Sequence, residues 1–218
     1  MVQKNNLIRH VLTILIVAIV LPVFAQSDGS PQMAKYDKNF VFHNGVYLTF
    51  DEFKSNSPSI RDFRIVRSSQ FSGQIILEYD CRDDKTGAMK SCVVDRCWGY
   101  AQNNTVFIAQ GMAGYYFRLH IIGALIHYFS VEVYSMPYYD YSYGYPTYRS
   151  NRRAENREYI IELETGRRID FNYKNFSRFL LENDKELYDE LQKTKRKRKM
   201  IYHFLIRYNE RHPVFFPQ

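Results

Sequence analysis

Residues 115–134 constrain the fold most, because apolar and polar side chains alternate there with a period of two. Phe117, Leu119 and Ile121 alternate with Arg118 and His120, and beyond Gly123 the residues Leu125, Phe129, Val131 and Val133 share one face. A strand sends successive side chains to opposite sides, so this spacing makes half-buried antiparallel strands. The run is long enough for a helix, but its β-branched and aromatic content decides for two strands, 115–122 and 124–134, broken at Gly123. Further strands are expected at Gln74–Cys81 and Ser91–Tyr100 about a polar turn, and at Thr105–Ala109 after an Asn103-Asn104 turn. The chain holds 19 Tyr and 16 Phe, residue types that suit a pleated sheet.

Helical signals lie at the two ends of this body. After a short strand at Val46-Tyr47-Leu48, the segment Thr49-Phe50-Asp51-Glu52 has the form of a capping box. Phe50 and Phe53 would share a buried face, Asn56 can close the turn in a left-handed conformation, and Pro58 stops it. Towards the C-terminus, Tyr159–Leu163 and Arg168–Phe171 read as strands about a Glu164–Arg167 turn. A short helix over about 173–182 follows, and then a long one from Asp184, its N-cap, to about Asn209. The fold class is therefore α+β: an antiparallel β-rich body of about six to nine strands, with a short N-terminal helix and a C-terminal helical hairpin.

The first 25 residues are expected to leave the chain. Lys4 and Arg9 precede an apolar run from Val11 to Phe24, which ends Val23-Phe24-Ala25, the pattern of a cleavable secretory signal. The run is shorter than the roughly 20 residues of a spanning helix. Residues 26–39 read as a flexible leader, and 40–213 as a single α+β domain. Its insert at 134–157 opens with seven Tyr in the fifteen residues 134–148, together with two Pro and a Gly, and reads as a long loop. The expected address is outside the cytoplasm: periplasmic, outer-membrane-associated or secreted.

Export bears on the three cysteines, Cys81, Cys92 and Cys97. Disulfides persist in oxidising compartments, and an odd count leaves at least one thiol over. Cys81 and Cys92 flank the turn at Asp84–Gly87 and are the disulfide candidate; three unpaired buried thiols are the alternative.

Several short motifs support a resemblance. The segment Gly45-Val46-Tyr47-Leu48-Thr49-Phe50-Asp51-Glu52-Phe53-Lys54 is followed by Asn56 and Pro58-Ser59. Further along come Trp98-Gly99-Tyr100, the aromatic strands around Gly123, the Thr165-Gly166 turn, and Arg207-Tyr208-Asn209-Glu210-Arg211-His212-Pro213. Together they resemble small exported proteins of Bacteroidota-type bacteria that carry a domain of unknown function. That resemblance implies an envelope location and no catalytic activity. The Tyr-rich insert and the three cysteines depart from the pattern.

Chemistry-bearing motifs are sparse. The sequence has no GxSxG elbow, HExxH, P-loop or GxGxxG. Pairing one of the cysteines with His120 or His127 would make a nucleophile and base, yet a lone strand histidine is more often structural. His120 and His127 would supply only two metal ligands, so neither a metal nor a cofactor is expected. A glycosidase would need two carboxylates across a cleft, which the sequence cannot place.

Two stretches suit binding. Tyr138, Tyr139, Tyr141, Tyr143 and Tyr145 offer flat faces with a hydroxyl at low entropy cost. Lys195, Arg196, Lys197 and Arg198 lie in a run with six cations in seven residues, 193–199, which suits phosphate or anionic lipid and reads otherwise as a solvated helix face. The formal net charge of +7 is mildly basic and, for an exported chain, does not call for nucleic acid. The function expected is that of a non-catalytic cell-envelope binding or structural protein, with an envelope protein or polysaccharide as its partner. The alternatives are a hydrolase of an envelope polymer and a peripheral binder of anionic membrane through the basic helix.

Overall fold

The protein is described by a computed structural model covering residues 31–67, 74–110, 114–141, 144, 145 and 147–218. The expected signal sequence, the first part of the expected leader and Tyr143 lie outside the described residues. No described helix is long and apolar enough to cross a membrane.

The central sheet has seven strands: β2 (Gly45–Tyr47), β6 (Gly99–Gln102), β7 (Thr105–Ala109), β8 (Tyr116–Ile121), β9 (Leu125–Asp140), β10 (Thr147–Glu162) and β11 (Arg168–Asp170). They lie side by side in that order, and each pair is antiparallel. From β6 to β11 the chain is a meander, which needs only short turns. Asn103 and Asn104 make the first of these with positive φ, 51° and 56°, as a tight hairpin requires.

Alternation along the strands gives the sheet two buried faces. On the first, Tyr47, Ala101, Val106, Ile108, Leu119, Ile126, Tyr128, Tyr159 and Ile161 meet Phe40, Phe42, Phe53 and Phe216. Phe53 belongs to α1 (Phe50–Lys54), whose N-cap Thr49 accepts the Glu52 N–H at 3.2 Å. Glu52 reaches back one residue past the cap, to the Leu48 N–H at 2.8 Å, so the Thr49 half of the capping box forms as read and the Glu52 half is shifted by one residue. Phe216 belongs to β12 (Phe215–Pro217), which pairs with β1 (Met33–Lys35). Asn56, left-handed at φ 48°, ties these pieces together: its side chain accepts the His43 N–H and donates to the Pro217 carbonyl.

On the second face, Leu125 and Ile160 pack against α2 (Tyr173–Asn183), α3 (Lys185–Lys193) and α4 (Ile201–Arg211). Val46 and Tyr100 pack instead against a separate three-stranded sheet, β3 (Arg64–Arg67), β4 (Ile75–Arg82) and β5 (Met89–Val93), through Leu77. Cys81 and Cys92 are disulfide-bonded across β4 and β5, with Cα atoms 5.8 Å apart. Cys97 is free.

The fold class is as read, a β-rich α+β body with C-terminal helices; four details differ. Twelve strands are present among the described residues, more than the nine expected, because the short β1, β3 and β12 carry little alternation. Ser91–Tyr100 is two strands, β5 and β6, in different sheets. The long C-terminal helix is two: α3 ends at Lys193, and Arg196 sits left-handed at φ 59° before a 3-10 turn at Lys197–Lys199. Crowded like charges cost a helix stability, and here the helix stops among them. Most consequentially, the Tyr-rich insert is no loop: residues 134–140 and 147–157 are the outer halves of β9 and β10.

Gly123 and Asn209 join the helical layer to the sheet. Asn209 Oδ1 accepts the Leu125 N–H at 2.8 Å, and its Nδ2 donates to the Leu125 carbonyl at 2.9 Å. The side chain thereby does for Leu125 what a neighbouring strand would. A methyl group on Gly123 would stand 2.4 Å from the Asn209 amide carbon, so only glycine lets the two approach. Asn209→Ala strands both polar groups of the fully buried Leu125 backbone and is expected to cost about 3 kcal/mol in urea unfolding. Gly123→Ala should cost less in that background than alone, since the contact it breaks is already gone. A loss for Asn209→Ala below about 0.5 kcal/mol, the size of an ordinary surface change, would contradict this role.

Candidate functional site

Strands β9 and β10 pair over sixteen positions, from Leu125↔Glu162 to Asp140↔Thr147. Only the inner part of this hairpin has neighbours. Strand β8 pairs with β9 at Ile121↔His127 and Leu119↔Tyr128, and β11 pairs with β10 at Tyr159, Ile160 and Ile161. From Phe129 to Tyr139 and from Thr147 to Arg157 the outer edges have no strand partner among the described residues. The result is a two-stranded ribbon about 35 Å long at the usual rise per residue.

Its faces differ. One carries Phe129, Val131, Val133 and Tyr139 from β9, with Ala154 and Tyr148 opposite Val133 and Tyr139. All four β9 residues are exposed, and the Tyr139 and Tyr148 rings meet edge to face at 6.0 Å. The other face carries Glu132, Tyr134, Met136 and Tyr138, and polar contacts brace it near the root. Glu132 accepts hydrogen bonds from the Tyr134 hydroxyl at 2.6 Å and from the Tyr159 hydroxyl, with Arg157 at 3.4 Å. The Tyr134 bond, followed by the Tyr159 bond, holds the Glu132 carboxyl below the usual carboxylate range. Farther out, Arg149 pairs with Asp140 at 3.3 Å. Tyr138, Tyr141 and Tyr145 are exposed on or near the ribbon.

The basic run lies elsewhere. Lys195, Arg196 and Arg198 are exposed in the α3–α4 connection, while Lys197 donates to Gln192 at 2.9 Å and covers the Tyr173 ring. Among the described residues no contact joins these cations to the ribbon tyrosines. They form a connector patch and not a helix face.

Sequence reasoning missed the root of the ribbon. His127 is fully buried, edge-on to the rings of Phe129, Phe171 and Tyr202. Its Nε2 lies 3.4 Å from Glu158 Oε2, and the Tyr202 hydroxyl donates to the same oxygen. His127 Nδ1 has no hydrogen-bond partner. Burial pushes the imidazole below its ordinary range, and Glu158 only partly opposes that. Beside this cluster a cavity of about 370 Å³ is lined by Phe117, Phe129, Ser130, Val131, Asn156 and Glu158. Ser130 is buried, and its hydroxyl has no partner. Alternation could have flagged Ser130, a polar residue with the parity of buried Ile126 and Tyr128; nothing in the sequence pairs His127 with Glu158 or Tyr202.

The chemistry available here is limited. The cavity lining holds one carboxylate, where a glycosidase pair would need two. Cys97 hydrogen-bonds the Tyr116 hydroxyl at 3.5 Å, touches no histidine among the described residues, and has its thiol pKa raised by burial, the reverse of activation. His120 and His127 do approach, with ring centroids 6.2 Å apart. Among the described residues no group of three or more His, Cys, Asp or Glu side chains is placed to hold a metal.

His127 makes stability pH-dependent. Its folded pKa is depressed below the unfolded value of 6.5, so the unfolded chain takes up a proton that the folded one resists. The stability concerned is complete above that value and is lost as the pH falls below it, by up to about 1.4 kcal/mol per pH unit. Urea midpoints should drop between pH 7.5 and pH 5.5 for the native sequence and drop less for His127→Leu; equal slopes would contradict the assignment. No family model, curated protein or solved structure matches this chain, so the reading of the site rests on its own geometry.

Proposed function

We propose that this is an exported, non-catalytic binding protein whose Tyr-rich ribbon engages a partner protein of the cell envelope by strand addition. The observation that carries the reading is the combination found on residues 129–139 and 147–157: exposed apolar and aromatic side chains, and two backbone edges with no strand partner among the described residues. An unpaired edge is a template for another strand, and folded proteins usually cover or blunt one this long. Here the edge stays open, while the aromatic side chains beside it offer the rigid apolar contacts common at recognition surfaces. A free backbone edge is satisfied best by another backbone, which favours a protein over a polysaccharide as the partner. The Cys81–Cys92 disulfide agrees with an oxidising location. Envelope location is also what the resemblance to Bacteroidota-type exported proteins implies.

The ribbon can be removed cleanly. Val131 and Asn156 face each other, so replacing 132–155 by Asn-Gly closes a two-residue hairpin at that pair. The shortened protein should stay folded and lose only the stability of the Tyr159–Glu132 hydrogen bond, because the segment removed contributes no side chain to the buried clusters. A photo-crosslinking residue at Tyr139 in the full-length protein should capture a discrete partner in envelope extract, and one at Lys195 should not. Equal capture from both positions, or capture by the shortened protein equal to that by the intact one, would remove the ribbon from the binding surface.

A further inference from the structure

The cavity at the root of the ribbon has the composition of a subsite for a cation. Strands β8 and β9 pair at Ile121↔His127 and, after a register shift, at Leu119↔Tyr128. Beyond that point β8 continues only with β7, through Arg118↔Phe107 and Ile108↔Phe117, while β9 runs on with β10. The two strands diverge, and the cavity opens in the fork, with Phe117 on one arm and Ser130 and Val131 on the other. Glu158 enters it from β10, opposite Phe129.

Three properties of this fork point to a ligand. Glu158 Oε2 is engaged by Tyr202 and His127, but no partner is found for its Oε1 among the described residues. The Glu158 side chain shares its face of the hairpin with the ring of Phe129, its cross-strand neighbour. The fork stands where the part of β9 without a β8 partner begins. A carboxylate beside a phenyl ring suits an ammonium or guanidinium group, through the ion pair and the attraction of a cation to a ring. The place matters as much as the composition. A strand added to the free edge of β9 would occupy the track that β8 leaves at Leu119, and it would pass over the mouth of this cavity.

We propose that the fork binds a lysine or arginine side chain from an extended partner segment that pairs with β9 from Phe129 onward. This rests on the strand-addition reading of the ribbon and names the partner's chemistry. The cation sets the register: its side chain enters at Glu158, and the flanking residues of the added strand then lie along Val131 and Val133.

The test uses the full-length protein and a short peptide in which valine, lysine and valine share one face and threonines the other. Two control peptides replace the lysine by glutamate or norleucine. In backbone amide NMR the lysine peptide is expected to bind saturably, shifting Phe129 to Val133, Asn156 and Glu158, and the controls should bind at least about tenfold more weakly. Glu158→Gln keeps an acceptor for Tyr202 and removes the charge; it should weaken the lysine peptide by at least about tenfold. Should that variant melt early, Asn156→Lys serves instead: it leaves Glu158 in place, supplies a competing cation at an exposed position, and should abolish binding. Equal binding of the three peptides, unchanged binding by either folded variant, or no saturable shift with any peptide would overturn the proposal. If the peptides fail while a crosslinker at Tyr139 still captures its partner, the cation subsite falls and the ribbon reading stands.

Discussion

The antiparallel ladder between β9 and β10 is the interaction on which the rest of the structure depends. Its inner positions place Ile126, Tyr128, Tyr159 and Ile161 in one buried cluster and Leu125 and Ile160 in another, so a single hairpin forms the floor of both. The same ladder continues outward with no layer on either side. Burial anchors the inner half; hydrogen bonds and short polar contacts maintain the outer half. Glu132, held by Tyr134, Tyr159 and Arg157, stands where one regime gives way to the other.

The helices and the N-terminal segment fit around that hairpin. Asn209 supplies Leu125 with the hydrogen bonds a strand would have made, which lets α4 lie across the β8–β9 turn. Tyr202, about two turns earlier on the same helix, reaches Glu158 and encloses His127. One helix thus fixes both the end of β9 in the core and the polar group at the mouth of the cavity. A binding event at Glu158 would be felt by α4 through Tyr202, because that hydroxyl and the ligand would share one carboxylate.

Much of this was legible in the sequence, and the parts that were not have physical reasons. The capping box at Thr49 and Glu52, the left-handed Asn56, the Asn103-Asn104 turn and the Asp184 cap are local, and local chemistry reads directly. The strands on either side of Gly123 announced themselves by alternation because each has one face in the core. The outer ribbon gave no such signal. Tyr134 to Asp140 and Thr147 to Arg157 bury neither face, so selection for core packing leaves no pattern in them. Pro137 and Gly144 then look like loop residues. Pro137 is tolerated on a strand with one open edge, and Gly144, at φ 77°, belongs to the turn between the strands. The root of the site was hidden for another reason. His127, Glu158 and Tyr202 come from three elements, and only the fold brings them together.

The functional reading stands or falls on whether the Tyr-rich segment is an ordered ribbon or a floppy loop, since only an ordered strand offers an edge in a fixed register. The most direct measurement is cross-strand nuclear Overhauser contact in the isolated protein, read between Val133 and Ala154 and between Tyr139 and Tyr148. An ordered ribbon gives both contacts, with β-type shifts from Phe129 to Asp140 and from Thr147 to Arg157. Random-coil shifts and no cross-strand contact beyond Glu132 would contradict it, and the open edge, the added strand and its cation would go with it.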